Sequence, residues 1–346
     1  MKRLMAPILL APLIASAQGI AMLSSGAHAT SRTYSVADLG PADFLVGISN
    51  AGLVVADSAG NSLLYSTDRG GIKNLTLDSR VPAACGFTQP YNGLAVFAGA
   101  ISRNGNVAVN AQAGADIGPT SPVCVLVYSP NSDTWTYQQT LPRASRATGI
   151  NNGKQVIGEL FFDLVGFGPG CDFINQGNFI HAGAINDSAQ IAGSSGSNAE
   201  LCTRGVWQEL PDFTGGTNSE PQAINDKAEV VGDALASSDA VQGFLYSKGK
   251  TIDLGNLPEA AFLYSSAESI NIHGHIVGMS STAAGFTSFL YENGVMYDLM
   301  TLINPTDPYK HSIQLSGDAR INDHGVIASI GISQGLSHLY LLTPSK

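Results

Sequence analysis

Short stretches in which apolar residues alternate with small or polar residues run through the chain, and turn-forming residues separate them. In AINDKAEVVGD, residues 223–233, Ile224 and Val230 flank a polar segment that begins with Asn-Asp. Alternation of this kind predicts half-buried β-strands, and Asn, Asp and Gly between two strands predict a tight turn. No window of the sequence has sustained helical periodicity. The pattern therefore predicts antiparallel strands joined by tight turns.

This strand-turn-strand pattern recurs seven times with a fixed offset. In each copy an Ile is followed directly by Ser or Asn, and six positions later by Val or Ile. Gly or Ala stands four positions after the Ile in six copies, whereas in the third copy Gly153 comes one position early. The repeats are about 45 residues apart, which matches the length of a four-stranded propeller blade. The seven pairs are Ile48/Val54, Ile101/Val107, Ile150/Val156, Ile185/Ile191, Ile224/Val230, Ile270/Ile276 and Ile321/Val327.

The ends of the chain predict how the repeats are joined. The last repeat ends in LYLLTPSK without a fourth strand, and TYSVADLG at 33–40 has the Asp-Leu-Gly of the fourth strands. Pairing of the two would remove the exposed edges of the outermost sheets. We predict an all-β fold, a single seven-bladed β-propeller over residues 30–346, with its ring closed by residues 33–40. The later strands of the third repeat cannot be placed from the sequence.

Repeats such as AINDKAEVVG, SINIHGHIVG, GFLYSKGKTIDLG and SFLYENGVMYDLM resemble those of the bacterial extracellular HAF-repeat family. The resemblance extends from Tyr34 to Pro344. The chain departs from the family pattern because it lacks a His-Ala-Phe triplet and because its second and third repeats are eroded. The resemblance implies export and a repeat β fold, and it implies no catalytic residues.

The first residues have the composition of a secretory signal peptide. Lys2 and Arg3 precede an apolar run, and small residues lead to an Ala-x-Ala motif that ends at Ala29. We predict a signal peptide over residues 1–29, with cleavage after Ala17 as the alternative. An uncleaved membrane anchor is disfavoured because prolines interrupt a stretch that is already short for a bilayer span. The protein is therefore expected to be secreted, into the periplasm or the medium.

The charge of the chain excludes several partners. The full sequence has a formal charge of −10, and loss of Lys2 and Arg3 with the signal peptide makes it −12. Such an acidic protein is poorly suited to nucleic acid or anionic lipid. We therefore expect no nucleic-acid partner, no membrane insertion after signal removal, and a monomer. No motif indicates a cofactor or a metal site.

The four cysteines occupy matched positions in two repeats. Cys85 and Cys171 precede the Ile of the second and fourth repeats, and Cys124 and Cys202 fall in the third strand of the same repeats. Four cysteines allow three pairings in an oxidising compartment. The matched positions predict Cys85–Cys124 and Cys171–Cys202.

A set of carboxylates forms the candidate ligand site. The end of the second strand carries an acidic residue in three repeats, and two more acidic residues precede the Ile in the last two repeats. In a ring, equivalent positions are expected to converge on one end, where carboxylates line a channel mouth and bind a cation or a polyol. The set is Asp57, Glu159, Asp233, Glu268 and Asp318.

Three functions are compatible with the sequence. The first is a non-catalytic binding module for a glycan or an envelope protein. The second is a carbohydrate-active hydrolase or lyase that uses the mouth carboxylates as an acid/base pair. The third is a structural envelope component. Small or apolar residues directly before the Ile of most repeats favour packing near the axis over catalysis, and hence the binding module.

Overall fold

The computed structural model describes residues 32–345, apart from the segments 68–70, 88–93, 114–121, 142–144, 161–164, 168–170, 172–179, 196–197, 212–216 and 237–239 and residues 259 and 261. The predicted signal peptide lies outside the described residues. The regular secondary structure of the described chain is almost entirely β-strand, with two helices of four residues each, α1 (Val81–Ala84) and α2 (Leu299–Leu302). No helix in the described part of the chain is long and apolar enough to cross a membrane.

The strands form antiparallel sheets arranged as a β-propeller, six of them with four strands and one with three among the described residues. We number the sheets 1 to 7 in the order in which their first strands occur. After β1 (Tyr34–Pro41), sheet 1 is β2 (Phe44–Ile48), β3 (Leu53–Ser58), β4 (Asn61–Ser66) and β5 (Gly71–Asn74); sheet 2 is β6 (Leu94–Ile101), β7 (Val107–Ala113), β8 (Val123–Ser129) and β9 (Thr134–Leu141); and sheet 3 is β10 (Ser145–Ile150), β11 (Val156–Leu160) and β12 (Val165–Phe167).

The remaining four sheets each have four strands. Sheet 4 is β13 (Ile180–Ile185), β14 (Ile191–Ser195), β15 (Asn198–Thr203) and β16 (Val206–Glu209); sheet 5 is β17 (Thr217–Ile224), β18 (Val230–Leu235), β19 (Val241–Ser247) and β20 (Lys250–Asp253); sheet 6 is β21 (Ser265–Ile270), β22 (Ile276–Thr282), β23 (Gly285–Glu292) and β24 (Val295–Asp298); and sheet 7 is β25 (Gln314–Ile321), β26 (Ile327–Ser333), β27 (Leu336–Pro344) and the N-terminal β1.

The N-terminal strand is the fourth strand of sheet 7. β1 pairs antiparallel with β27 from Tyr34 opposite Pro344 to Pro41 opposite His338, as the orphan Asp-Leu-Gly motif predicted. Tyr34 is fully buried in a cluster with Leu299 and Ile303, so the strand is held by packing as well as by its ladder.

The turn between the first and second strands has the same conformation in all seven sheets. The residue four positions after the Ile has positive φ in every copy, and it is glycine in four of them. Glycine adopts this conformation without steric cost. The third repeat follows the same rule with Lys154 at a φ of 61°, although its glycine is displaced by one position in the sequence. The fixed six-residue offset between the Ile and the following Val or Ile in the sequence therefore corresponds to one turn geometry.

A β-bulge interrupts the first strand of every sheet near its middle or end. In sheets 5 and 6 the register shifts after Pro221 and after Ala267. The glycine of the neighbouring second strand makes room for the bulge: a Cβ on Gly232 or Gly278 would lie 2.0 Å from a carbonyl oxygen of the first strand. The Val-Val-Gly motif thus reflects close packing of backbone against backbone.

Both predicted disulfides are present. Cys85–Cys124 and Cys171–Cys202 each connect the segment before a sheet to its third strand, over 39 and 31 residues. Disulfides of this kind form in oxidising environments, so the protein belongs to a non-cytoplasmic, oxidising compartment. Three of the four cysteine side chains are buried, and both bonds lie in hydrophobic clusters.

Candidate functional site

The seven turns meet at one end of the propeller, which we call the turn end. The Ser or Asn that follows each Ile is buried in all seven sheets. Asn225 is representative: its side-chain oxygen accepts hydrogen bonds from the backbone N–H groups of Lys227 and Glu229, which fixes its own turn. Its side-chain nitrogen donates to the backbone oxygen of Asn271 in the next sheet at 3.0 Å.

This bond from one sheet to the next recurs around the turn end. The asparagines of sheets 3 to 7 each donate to the carbonyl at the same position of the following sheet, and sheet 7 donates to sheet 1. The donor and acceptor pairs are Asn151–Asn186, Asn186–Asn225, Asn225–Asn271, Asn271–Asn322 and Asn322–Ser49, at 3.0 to 3.1 Å. In sheets 1 and 2 a serine holds the turn but lacks a donor long enough for this bond.

The residues that directly follow these Ser and Asn residues also lie at the turn end. One of them, Arg103, is a cation that contacts two of the others. Arg103 of sheet 2 bonds Asp226 of sheet 5 at 3.2 Å and Asp323 of sheet 7 at 3.2 Å. Its guanidinium therefore links three sheets that are far apart in sequence. Burial acts to raise the pKa of Asp323, but hydrogen bonds from Asn50 and from the Ile272 N–H, together with the Arg103 charge, hold that pKa below its ordinary value.

An axial cavity of about 180 Å³ lies beside this ring of turn residues. The first strands of all seven sheets contribute to its lining, mostly through aliphatic side chains and small residues. Its polar groups include Arg103, Asp226, Gln222, Glu268 and Arg320. Gln222 and Glu268 are the bulge residues of their strands, and a bulge redirects a side chain from the face that strand alternation would give it.

Glu268 and Arg320 form an ion pair in this cavity. The Arg320 guanidinium donates to the Glu268 carboxylate at 2.7 Å, and the Ala319 N–H donates to the same oxygen at 3.0 Å. Burial nevertheless raises the pKa of Glu268, because loss of hydration outweighs the Arg320 charge; the charge of Asp318 adds to the rise. Glu268 and Asp318, two of the predicted carboxylates, are thus close enough for their charges to interact.

Asp57 and Asp233 lie at the other end of their strands, which we call the far end. Asp57 pairs with Phe44 and accepts a hydrogen bond from the Ser62 hydroxyl at 2.5 Å. Burial raises the pKa of Asp57, against the effect of Ser62 and with a contribution from Asp43. Asp233 accepts a hydrogen bond from the Ser266 hydroxyl of the next sheet at 2.6 Å. Neither residue is part of the described lining of the axial cavity.

Glu159 lies in β11 opposite Arg146 in the ladder, and its side chain is outside the described part of the structure. Among the five predicted residues, Glu268 is the one in the described cavity lining. Within the described residues no group of three His, Cys, Asp or Glu side chains is placed to hold a metal ion. The sequence did not single out Arg103, although the residue after each Ser or Asn is Asn or Asp in five repeats and cationic in one.

The buried Glu268 predicts a pH-dependent contribution to stability. The pKa of Glu268 is higher in the folded state than in the unfolded state. At pH values between these two pKa values the folded state therefore binds more protons, and the protein loses stability as the pH rises through the folded pKa. We expect the free energy of unfolding of the wild type to fall relative to that of Glu268→Gln as the pH rises from the ordinary range of a glutamate pKa toward neutrality. Urea unfolding across this range measures the difference, and parallel curves for the two proteins would contradict the expectation.

Comparison with known proteins supports the fold. No protein-family model and no curated protein matches the chain. Among solved structures, the RRP9 WD40 repeats match with a TM-score of 0.52 and 10% identity, over 90% of this chain and 98% of that one. The Pyrococcus horikoshii acylaminoacyl peptidase matches with a TM-score of 0.49 and 10% identity, over 85% of this chain and 50% of that one. At 10% identity, the similarity to the RRP9 WD40 repeats shows the β-propeller fold alone.

Proposed function

We propose that the protein is an exported, non-catalytic binding module, built as a closed ring of seven blades, that takes a glycan or an envelope protein as its ligand. The seven-blade ring is supported by two contacts between the ends of the chain. β1 supplies the fourth strand of sheet 7, and Asn322 of sheet 7 bonds the backbone oxygen of Ser49 in sheet 1. Export is supported by the two disulfides.

The observation that carries the binding function is a group of exposed apolar side chains at the far end. Six of the eleven large apolar side chains exposed in the described residues lie there, in the consecutive sheets 6, 7 and 1 and in the segment that leads into sheet 6. Exposed apolar patches of this kind mark interaction surfaces. We call this set the apolar arc: Phe44, Phe262, Leu263, Phe286, Ile332 and Leu336.

The candidate carboxylates and Arg103 are bonded to other groups of the protein, which also favours a binding function over catalysis. Asp57 and Asp233 accept hydrogen bonds from serine hydroxyls, and Glu268 is held by Arg320. In the axial cavity, Arg103 is bonded to two aspartates. These groups connect parts of the fold, whereas a general acid or a nucleophile has to contact the substrate.

A carbohydrate-active hydrolase or lyase is the second candidate, and the pKa of Glu268 is the observation in its favour. A buried carboxyl with a raised pKa can act as a general acid, and Asp318 is close enough to influence it. A structural envelope component without a small ligand is the third candidate.

The test uses the secreted protein with its disulfides intact. We expect it to be retained by the envelope fraction of its source cells or by a defined saccharide on a glycan array, and Leu336→Ser to reduce this retention. Val206→Ser is the matched control, because Val206 and Leu336 are 69% and 64% exposed and Val206 lies in sheet 4. Release of reducing or unsaturated sugar ends that is lost in Glu268→Gln would instead establish the enzyme. Equal retention of both serine variants would reject the arc as the binding surface.

A further inference from the structure

We propose that the apolar arc binds a cationic polypeptide segment with apolar side chains; this rests on the proposed binding function and specifies its partner. The arc has an aromatic centre in sheet 6. The ring of Phe286 meets Phe262 at 5.6 Å and Tyr264 at 5.3 Å, both edge to face. Phe286 and Phe262 keep 36% and 51% of their surface exposed. This geometry offers ring faces and edges to apolar side chains of a partner.

The arc extends from this aromatic centre into the two following sheets. Ile332 and Leu336 are adjacent to the β26–β27 turn of sheet 7, at the far end, and are 41% and 64% exposed. Phe44 begins sheet 1 and is 66% exposed. The backbone N–H of Ala42, two residues before Phe44, bonds the oxygen of Ser337 in sheet 7. This bond holds the residues before Phe44 beside the strand of sheet 7 that carries Leu336.

Carboxylates accompany the apolar side chains at the far end. Asp43 is exposed directly beside Phe44, and Asp57 lies opposite Phe44 in the ladder. In the neighbouring sheets, Asp233 is close enough to Tyr264 to help raise the pKa of that phenol, although burial is the main cause. The arc therefore lies in a region of negative potential on a chain that is acidic overall.

The lysine and arginine side chains described in sheets 6, 7 and 1, and in the segments that join these sheets, are bonded to other groups of the protein. Arg32 bonds Glu292, and Arg320 bonds Glu268 in the axial cavity. Lys73 bonds Asp78 and Asp133, and Lys310 donates to the backbone oxygen of Met300. The charge left at the arc is complementary to a cationic partner, and complementary potentials guide association and select partners.

The combination of exposed apolar side chains and nearby carboxylates favours a polypeptide partner over a glycan. Six exposed apolar side chains over three sheets provide a surface longer than one sugar ring, with apolar contacts as its main content. A segment that carries lysine or arginine beside leucine or an aromatic residue satisfies both parts: its apolar side chains are buried on the arc, and its cations meet the flanking carboxylates.

The test measures binding of a fluorescein-labelled synthetic peptide of alternating lysine and leucine by fluorescence anisotropy. Comparison peptides replace lysine with glutamate, or leucine with serine. We expect the lysine-leucine peptide to bind tightest, and the double substitution Phe286→Ser with Leu336→Ser to weaken its binding at least about tenfold, because the substitution removes two interface anchors at once. The matched control is Val206→Ser with Ile252→Ser, which removes two exposed apolar side chains from sheets 4 and 5.

A second pair of variants tests the charge. Asp43→Asn is expected to weaken the lysine-leucine peptide severalfold in low salt and to have little effect in high salt. Asp253→Asn is its control, because Asp43 and Asp253 are both exposed and each accepts one hydrogen bond from a nearby backbone N–H, of Ala59 and Gly255 respectively.

The outcomes separate this inference from the proposed function. Equal affinity for the glutamate-leucine peptide, equal loss in the two double variants, or a dimer in sedimentation velocity that Phe286→Ser with Leu336→Ser abolishes would each overturn the cationic-segment partner. Envelope or glycan retention that depends on Leu336 would in those cases still uphold the binding module. Failure of both retention and peptide binding would reject the two together.

Discussion

Replacement of Asn225 by alanine is expected to lower the free energy of unfolding by roughly 4 kcal/mol, among the largest effects of any single substitution in the chain. Asn225 is fully buried, and its side chain makes four hydrogen bonds. Its oxygen accepts from the backbone N–H groups of Lys227 and Glu229, and its nitrogen donates to the Glu229 carboxylate and to the backbone oxygen of Asn271. Alanine leaves the two N–H groups and the Asn271 oxygen without these partners, and a buried polar group without a partner costs about 1–3 kcal/mol. Equilibrium denaturation in urea measures the loss.

Asn225 both holds its own turn and bonds the next sheet, and serines at the same position in two other sheets allow these two roles to be tested separately. Ser49 and Ser102 occupy the same position in sheets 1 and 2, and their hydroxyls accept the turn N–H groups of Leu53 and Asn106. Asn225→Ser is therefore expected to keep the turn, to lose the bond to the next sheet, and to cost about half as much as alanine. Asn131→Ala, at an exposed position, is expected to change stability by less than about 0.5 kcal/mol. An equal cost for Asn225→Ser and Asn225→Ala would show that the bond between sheets carries most of the energy.

Removal of β1 is expected to abolish the cooperative unfolding transition and to produce aggregation. A chain that begins at Ala42 lacks the strand that pairs with β27 along its whole length, and it lacks Tyr34, which is fully buried against sheet 7 and the segment before it. The exposed edge of β27 is then a template for pairing with other chains. Size-exclusion chromatography and thermal denaturation monitored by circular dichroism test this expectation.

The control chain begins at Arg32 and is expected to unfold in one cooperative transition, because it keeps β1. A synthetic peptide of residues 32–41, added to the chain that begins at Ala42, is expected to restore a cooperative transition, since an added strand completes an open edge. A chain without β1 that stays monomeric and melts within a few degrees of the control would show that sheet 7 is stable with three strands.

The fold was predictable because the repeat concentrates its information in local features. The Ile-to-Val offset, the turn residues and the Asp-Leu-Gly motif each act over a few residues, and the seven copies reinforce one another. The matched positions of the cysteines predicted both disulfides correctly for a related reason. The three described strands of sheet 3 correspond to the repeat whose later strands could not be placed.

The site was less predictable because it depends on contacts between sheets. The asparagines were expected to form turns, and nothing local indicates that Asn225 reaches a carbonyl 46 residues further on. The bulge that brings Glu268 into the axial cavity has no marker in its own strand, so its place beside Arg320 could not be predicted. The position of Arg103 among aspartates was visible in the column of residues after each Ser or Asn, once the seven turns are aligned.

The pairing of β1 with β27 has a consequence for the order in which the molecule is completed. Asp38 and His338, which meet in sheet 7, are 300 residues apart in the sequence. When a chain is translocated from its N-terminus, β1 emerges first and its partner strand emerges last, whereas the disulfide loops of 39 and 31 residues can close as soon as their own sheets appear. Contacts between distant segments also form slowly. The first strand to emerge thus stays without its partner strand until the last residues of the chain have followed it, and chaperones have the longest access to that segment.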